Sequence, residues 1–251
     1  MTLKYSFDNS RIIRKFAIPI SQIMNILIVG ATSGIGKALW RHYVSQNHNV
    51  AIIGRRAELL NDIKAEAPIN TFSFEADIAD IRSLNQTFNE ILKELHSLDL
   101  VIICAGIGEL NPKLNIDTEL STIATNVLGW TNILDRTYSL FEQQGFGHIV
   151  TITSVGGLQP TPIAPSYSAS KAFQINYTKS LQAKAKKTNI KITEIRPGLV
   201  DTRMAKGEGL FWVMPLHKVV PQIIRAIDRK QKLCIVTKRW RILNYLLKHF
   251  V

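Results

Sequence analysis

Three side chains in the middle of the chain have the types and the spacing needed to move a proton. Tyr167 and Lys171 stand four residues apart, and Ser154 precedes the tyrosine by thirteen residues. On a helix, residues i and i+4 share one face, so the phenol and the ammonium can point into one cleft. A phenol has a pKa of about 10, which a neighbouring ammonium lowers, and a hydroxyl can hydrogen-bond a substrate oxygen. The trio therefore suits proton exchange with a carbonyl or alcohol oxygen.

Each of these residues also has an ordinary structural interpretation. Tyr167 could be an interface aromatic, Lys171 a solvated helix charge and Ser154 a turn residue at the end of a strand. A Tyr-x-x-x-Lys pair also arises by chance in some chains of this length. The surrounding sequence has to decide between these interpretations.

A glycine-rich segment follows the first apolar run. It reads VGATSGIGKAL over residues 29–39. Small residues after a strand let the backbone approach a pyrophosphate at a helix N-terminus, where free N–H groups and the helix dipole attract an anion. The spacing GxxxGxG differs from the usual GxGxxG fingerprint, and a turn kept for close packing is the alternative. The segment predicts a nucleotide site that includes Gly30, Thr32, Ser33, Gly34, Ile35 and Gly36.

Short apolar runs alternate with longer helical stretches from residue 25 onward. We expect strands at 25–30, 49–54, 71–76, 98–106, 147–154, 190–198 and 233–237, and helices near 35–47, 56–66, 80–95, 117–144, 166–187 and 218–230. Strand and helix in alternation indicate βαβ units and a parallel sheet covered on both faces. The sequence therefore predicts a doubly wound α/β fold, that is, a Rossmann fold.

The bulk composition is that of a globular protein. Apolar residues make up 46% of the 251 residues and charged residues 20%, which suits one α/β domain with a single large core. We expect an N-terminal extension at 1–23, the α/β domain at 24–237 and a basic amphipathic tail at 238–251. No apolar stretch is long enough for a transmembrane helix, and residues 11–20 lack the apolar core of a signal peptide, so we expect a cytoplasmic protein.

Cysteine and histidine usage adds no further site. Cys104 and Cys234 lie far apart in apolar runs, which fits buried, reduced thiols of a cytosolic protein. The six histidines form no pattern with metal-ligand spacing, so we expect no metal.

Taken together, the motifs resemble the short-chain dehydrogenase/reductase family. The residues that carry the resemblance are Gly30, Gly34 and Gly36, Asp77, CAGIG (104–108), NVLG (126–129), Ser154, Tyr167 with Lys171, and PGLVDT (197–202). They occur in the family's order and at similar intervals. Two positions depart from the family pattern, since Val29 replaces a usual Thr and Ile103-Cys104 replace a usual pair of Asn. Neither departure removes a group that does chemistry.

The end of the second strand indicates which nucleotide to expect. It reads IIGRRAELL, so Gly54, Arg55 and Arg56 offer two guanidiniums and no carboxylate. An acidic residue there suits NAD, whereas guanidiniums suit a 2′-phosphate, with Arg55 the stronger candidate. We therefore expect NADP(H) rather than NAD(H). The alternative is that one Arg merely begins the next helix on the solvent side.

The resemblance also implies roles along the cofactor. It places Asp77 and Ile78 at the adenine and Ala105 and Gly106 at the adenosine ribose. A helix N-cap is the structural alternative for Asp77. The resemblance places Pro197, Gly198, Val200 and Thr202 at the nicotinamide end, and it counts Tyr167 and Lys171 among both the cofactor-binding and the catalytic residues.

The catalytic set implied by the resemblance is Asn126, Ser154, Tyr167 and Lys171. Asn126 would hold a water in a proton relay with Lys171; the alternative is a polar residue that kinks the helix. The expected activity is that of a carbonyl reductase or alcohol dehydrogenase that transfers hydride between nicotinamide and a carbonyl or secondary alcohol. The alternative is a non-catalytic nucleotide-binding scaffold or a membrane-surface interaction protein on the same fold.

Two C-terminal segments bear on substrate and partners. Phe211, Trp212, Val213 and Met214 either line the cleft for a hydrophobic substrate or pack a flap on the core.

From Lys218 to Val251 there are nine Lys and Arg and one acid, a net charge of +8. The tail places Trp240, Leu243, Leu246, Leu247 and Phe250 on one helical face. That pattern fits a peripheral contact with anionic lipid, and equally a helix docked on its own domain or a partner. We expect a homo-oligomer and no nucleic acid.

Overall fold

Seven strands form one parallel sheet in the order β3-β2-β1-β4-β5-β6-β7. The computed structural model describes residues 23–202, 212–237 and 239–242. The strands are β1 (Asn25–Val29), β2 (Asn49–Gly54), β3 (Thr71–Glu75), β4 (Leu100–Ile103), β5 (Gly147–Ile152), β6 (Ile190–Pro197) and β7 (Leu233–Val236). All seven predicted strands are therefore confirmed, with the last one to three predicted residues of most runs belonging to the following loop.

Helices connect the strands and cover both faces of the sheet. They are α1 (Gly34–Ser45), α2 (Ala57–Glu66), α3 (Ile81–Leu95), α4 (Ile116–Ile123), α5 (Trp130–Gln144), α6 (Pro165–Lys184) and α7 (Leu216–Asp228), with short 3₁₀ turns at Val155–Gly157 and Ala185–Lys187. The predicted helix at 117–144 is continuous, but its middle, Ala124–Gly129, is π-helical. The doubly wound α/β fold is thus confirmed.

The strands are apolar on both faces because both faces are buried. Ile26 and Ile28 point into a core shared with α1 and α7, while Leu27 and Val29 point into a second core shared with α3 and α5. A near-continuous apolar run is what a parallel sheet between two helical layers requires. The alternation of β1 side chains between two cores fixes its register against its neighbours.

The predicted site residues lie together just beyond the carboxyl ends of the central strands. The order reverses between β1 and β4, and ligands of such sheets bind where the carboxyl ends of the strands open at this reversal. Gly30 follows β1, Cys104 follows β4, Ser154 lies just beyond β5 and Gly198 just beyond β6. Segments far apart in sequence therefore converge on one crevice.

Within the described residues, no helix combines the length and the apolar character needed to cross a bilayer. Nor do three side chains of metal-ligating type lie together in those ranges. Cys104 and Cys234 are both free thiols.

Candidate active site

The loop between β1 and α1 has the backbone of a phosphate cradle. Gly30 and Gly34 adopt φ of +88° and +56°, which side-chain-bearing residues rarely adopt. A Cβ at Gly36 would lie 2.2 Å from the Gly30 carbonyl oxygen, so a larger residue cannot fit there. Ser33 caps α1 without a side-chain hydrogen bond to its first N–H groups. The loop and the helix N-terminus therefore fit an anionic pyrophosphate.

The two arginines after β2 take different positions around this loop. Arg56 donates from Nη2 to Thr32 Oγ1 at 2.5 Å and to Ser33 Oγ at 3.5 Å. Arg55 pairs with Asp77 across 3.4 Å. A guanidinium thus lies directly beside the cradle, and it is Arg56, whereas the sequence favoured Arg55.

The segment after β3 carries the residues that are predicted to contact the adenine. Asp77 accepts a hydrogen bond from the Ala79 N–H at 2.9 Å. The N-cap of α3 is Asp80, whose carboxylate accepts from two backbone N–H groups, so the alternative role of Asp77 as the helix cap is wrong. A Cβ at Gly129 would lie 2.1 Å from the Ile78 carbonyl oxygen, so the π-helical segment packs tightly against this wall.

Tyr167 and Ser154 lie together at the centre of the crevice. The Ser154 hydroxyl accepts from the Gly156 N–H at 3.0 Å and shares a hydrogen bond with the Tyr167 phenol. Burial raises the pKa of Tyr167, and the bond with Ser154 only partly opposes that rise. A Cβ at Gly108 would lie 2.5 Å from Cδ2 of the phenol ring. Gly108 therefore lets the ring occupy this position.

Lys171 is buried on the same face of α6, with 4% of its surface exposed. Its Nζ donates to the Ile152 carbonyl at 3.2 Å and to Gln174 Oε1 at 2.9 Å, and lies 5.9 Å from the Tyr167 ring centre. Burial lowers the pKa of Lys171 to about 8, an effect that Cys104 weakly opposes. Burial in turn raises the pKa of the Cys104 thiol to about 12. The expected lowering of the Tyr167 pKa is thus not produced by the protein alone, because burial of the phenol outweighs its hydrogen bond with Ser154.

Asn126 is fully buried within the π-helical segment. Its Oδ1 accepts from the Ile107 N–H at 2.8 Å, and its Nδ2 donates to the Ile107 carbonyl at 2.7 Å and to Ser170 Oγ at 3.0 Å. Its main-chain carbonyl accepts from Gln174 Nε2 at 2.8 Å. The side chain thus braces the loop after β4, and the carbonyl is engaged by a protein side chain.

Residues of the predicted nicotinamide end lie beside the cradle. A Cβ at Gly34 would lie 3.2 Å from Thr202 Cγ2, and Val200 pairs with Met214 as an isolated β-bridge. Ala105 approaches the other side of the cradle, where its N would lie 2.7 Å from a Cβ at Gly30. A Cβ at Gly106 would lie 3.3 Å from Asn126 Oδ1. The predicted cofactor residues therefore converge, although their roles remain predictions.

The segment after β6 meets the C-terminal tail. Trp240 is 5% exposed, and its indole lies 2.2 Å from the position of a Cβ on Gly198. Trp212 is 43% exposed and packs edge-on against Trp240 with ring centres 5.9 Å apart. Met214 packs on the core, as the alternative interpretation of the flap expected. Phe211 and the tail from residue 243 lie outside the described residues.

Sequence reasoning missed three residues of this site. Gln174 could have been found as a polar residue three positions after Lys171, and so on the same helical face. Gly108 could have been suspected from CAGIG. Nothing in the sequence pairs Trp240 with Gly198, because the two positions are separated by a helix and a strand.

Comparison with known proteins places the chain in a family. Residues 24–210 match the short chain dehydrogenase family. The chain is similar to an uncharacterized oxidoreductase of Mycobacterium tuberculosis, with 31% identity over 215 residues that cover 82% of this chain and 85% of the relative. The chain therefore belongs to the short-chain dehydrogenase/reductase family and is an oxidoreductase that binds a nucleotide cofactor.

Two further similarities concern the cofactor and the fold. The NADP-dependent 3-hydroxy acid dehydrogenase YdfG of Escherichia coli is 28% identical over 180 residues, which cover 70% of this chain and 73% of that protein. A short-chain dehydrogenase from Sphingobium yanoikuyae in complex with NADPH superposes with a TM-score of 0.77 at 23% identity, covering 90% of this chain and 94% of that one. The latter similarity supports the fold.

Proposed function

We propose that the protein is an NADP(H)-dependent carbonyl reductase or secondary alcohol dehydrogenase with a preference for hydrophobic substrates. The observation that carries the proposal is the hydrogen bond between the Tyr167 phenol and Ser154, beside the buried ammonium of Lys171. Such a group can give a proton to an alkoxide as it forms on a carbonyl, or take one from an alcohol.

The proposed roles follow from what each side chain can donate. Ser154 would hydrogen-bond the substrate oxygen, and Tyr167 would exchange the proton with it. Lys171 would hold the nicotinamide ribose and keep a positive charge near the phenol. When bound, the cofactor supplies the hydride and, in its oxidised form, a further positive charge at the site. That charge would offset the desolvation that raises the Tyr167 pKa in the protein alone.

Preference for NADP(H) is proposed from Arg55 and Arg56. Arg56 lies against the Thr32 and Ser33 hydroxyls of the cradle, where it could contact a 2′-phosphate. The similarity to an NADP-dependent relative supports the same choice. We expect Arg56→Ala to raise the KM for NADPH about ten- to hundredfold and to leave the KM for NADH nearly unchanged. Arg41→Ala, which breaks only an exposed pair with Glu66, is the matched control.

Preference for a hydrophobic substrate is proposed from exposed apolar side chains near Tyr167. Leu110 and Ile163 are 55% and 49% exposed, and the Asn111 N–H donates to the Ile163 carbonyl at 2.7 Å, which joins the two segments. Both segments lead to the site, one from Gly108 and the other into Tyr167. The YdfG relative acts on 3-hydroxy acids, so 3-keto acids form the contrasting substrate class.

The test is a panel of aryl and alkyl ketones and 3-keto acids, followed by NADPH absorbance and repeated with NADH. We expect the apolar ketones to be reduced fastest and NADPH to be preferred. Tyr167→Phe should lose at least about a thousandfold in kcat. Tyr177 lies on the same helix as Tyr167 but donates its phenol hydrogen bond to Asp135 on α5, so Tyr177→Phe should stay active. An active Tyr167→Phe variant would overturn the mechanism, and preference for NADH would overturn the cofactor assignment.

We also propose that the protein self-associates through exposed apolar side chains on α4 and the π-helical segment. Ile116, Leu120, Ile123 and Leu128 are at least 40% exposed along α4 and the π-helical segment, which suits a self-association face. Light scattering of wild type and Leu120→Glu would test it.

Trp240 is buried on its own domain, so lipid contact would have to come from residues further along the tail. Co-sedimentation with anionic vesicles, with and without residues 243–251, tests that contact.

A further inference from the structure

Gln174 carries two hydrogen bonds at the centre of the proposed catalytic network. Its side chain is fully buried on α6, one turn after Lys171. A buried amide costs free energy unless its donors and acceptors are bonded. Its Oε1 accepts from Lys171 Nζ at 2.9 Å, and its Nε2 donates to the Asn126 carbonyl at 2.8 Å. The amide therefore joins the buried ammonium to the π-helical segment.

Chemistry determines the orientation of this amide. An ammonium only donates hydrogen bonds and a carbonyl only accepts them. A flipped amide would set its NH₂ against the ammonium and its oxygen against the carbonyl, and both bonds would be lost. The Gln174 side chain is thus held in one orientation by its two partners.

We propose that Gln174 is a positioning residue for the reaction, which fixes the Lys171 ammonium against the π-helical segment in the place where a relay water was expected. The inference rests on the proposed roles of Tyr167 and Lys171. A water between Lys171 and the Asn126 carbonyl could exchange protons with both the ammonium and solvent. The amide makes the same two contacts but does not titrate near neutral pH. Gln174 therefore holds the charge in place and closes that route for its proton.

Two substitutions separate positioning from mere space filling. Gln174→Met keeps the length of the side chain but leaves the ammonium and the carbonyl without this partner. Gln174→Ala removes everything beyond Cβ and leaves a polar space beside two hydrogen-bonding groups. A water, which takes about 30 Å³, can then restore both contacts. A space-filling role predicts that Met is tolerated better than Ala, and a positioning role predicts the reverse.

The experiment measures kcat and KM for NADPH with the best ketone of the panel, together with NADPH binding by fluorescence. We expect Gln174→Met to lose about tenfold or more in kcat, since a hydrogen bond to a charged group contributes about 1.5–3 kcal/mol. Gln174→Ala should lose less kcat than Gln174→Met, because an entering water restores both contacts, and both variants should keep NADPH affinity within about threefold. Gln182→Met is the control, because Gln182 lies on the same helix but bonds only the Ile192 and Lys232 carbonyls.

Unchanged kcat in Gln174→Met, or an equal loss in Gln174→Ala, would overturn the inference while leaving the proposed function intact. A wild type that reduces no compound would instead overturn the proposed function. In that case urea unfolding of Gln174→Met, Lys171→Met and the double variant still tests the contact. Coupling predicts that Gln174→Met raises the unfolding equilibrium constant about tenfold in the wild type and much less beside Lys171→Met. Additive effects would refute the contact as well.

Discussion

Replacing Lys171 by methionine should change how the stability of the protein depends on pH. The side chain is 4% exposed, and burial lowers the pKa of its ammonium from 10.5 to about 8. At pH 7 the unfolded chain holds this charge in water, whereas the folded chain holds it in the interior. A pKa difference of about 2.5 corresponds to a cost of about 3 kcal/mol. Methionine has a similar shape and carries no charge, so the variant does not have this cost.

The sign of the effect follows from proton binding. The pKa of the folded state lies below that of the unfolded state, so between pH 8 and 10.5 the unfolded chain binds more protons. Wild-type stability therefore rises with pH across that window. The cost is complete below pH 8 and disappears above pH 10.5. From pH 7 to 9.5 wild type should gain about 2 kcal/mol relative to Lys171→Met.

Hydrogen bonding sets the starting difference at pH 7. Methionine cannot donate to the Ile152 carbonyl or to Gln174 Oε1, and each lost bond to the ammonium costs about 1.5 kcal/mol. We therefore expect the variant to match the stability of wild type at pH 7 and to be about 2 kcal/mol less stable at pH 9.5.

Urea unfolding at pH 7, 8 and 9.5 measures these differences. Lys184→Met is the matched control, because Lys184 ends the same helix with a side chain that is 57% exposed. Its difference from wild type should not vary with pH across this range. A pH-independent difference between wild type and Lys171→Met would refute the argument that the proposed catalytic lysine is held in the fold at a cost in stability.

Three further predictions concern single side chains. Burial lowers the pKa of His148 to about 4, so wild type should lose about 2 kcal/mol of stability between pH 7 and 5 as the unfolded chain takes up a proton below 6.5. His148→Gln, which can still bond Thr193 Oγ1, should show a smaller loss in urea midpoints, and equal slopes would contradict this. Gly108→Ala should lower kcat at least about tenfold, because its Cβ would displace the Tyr167 ring; unchanged kcat would show that the ring tolerates the shift. Trp240→Ala should cost about 3 kcal/mol in urea unfolding and raise the KM for NADPH, whereas an unchanged KM would separate the tail from the cofactor site.

The fold was predictable because each layer has its own periodicity. Runs such as ILIV at 26–29 are apolar at every position, as a strand buried on both faces requires, and the intervening stretches have helical spacing. The predicted strand ends were too long because the residues after each strand, such as Cys104 and Ser154, are also small or apolar. A strand ends where its pairing with the neighbouring strand stops, and a single sequence does not show which residues are paired.

The site was predictable in its members but not in its contacts. Ser154, Tyr167 and Lys171 could be identified because their types and order define a chemistry. The partner of the Asn126 carbonyl could not, because the π-helical widening depends on packing against Ile78 and α6. The distinction between Arg55 and Arg56 depends on which guanidinium faces the cradle, and adjacent residues in a loop cannot be assigned a direction from spacing alone.

If Gly198 holds the nicotinamide end as predicted, the packing of Trp240 on Gly198 gives the C-terminal segment a share in cofactor binding. Trp240 follows β7 by only four residues, and its indole lies over the turn that ends β6, packed edge-on against Trp212. A protein shortened to residue 237 would keep strands β1 to β7, helices α1 to α7 and every proposed catalytic group. Without the indole, an opening of its size would remain behind the turn at Gly198, and water could enter the predicted nicotinamide site through it. If trimming the C-terminus lowers activity, the cause would therefore be water entering the predicted cofactor site and not the loss of a reactive group.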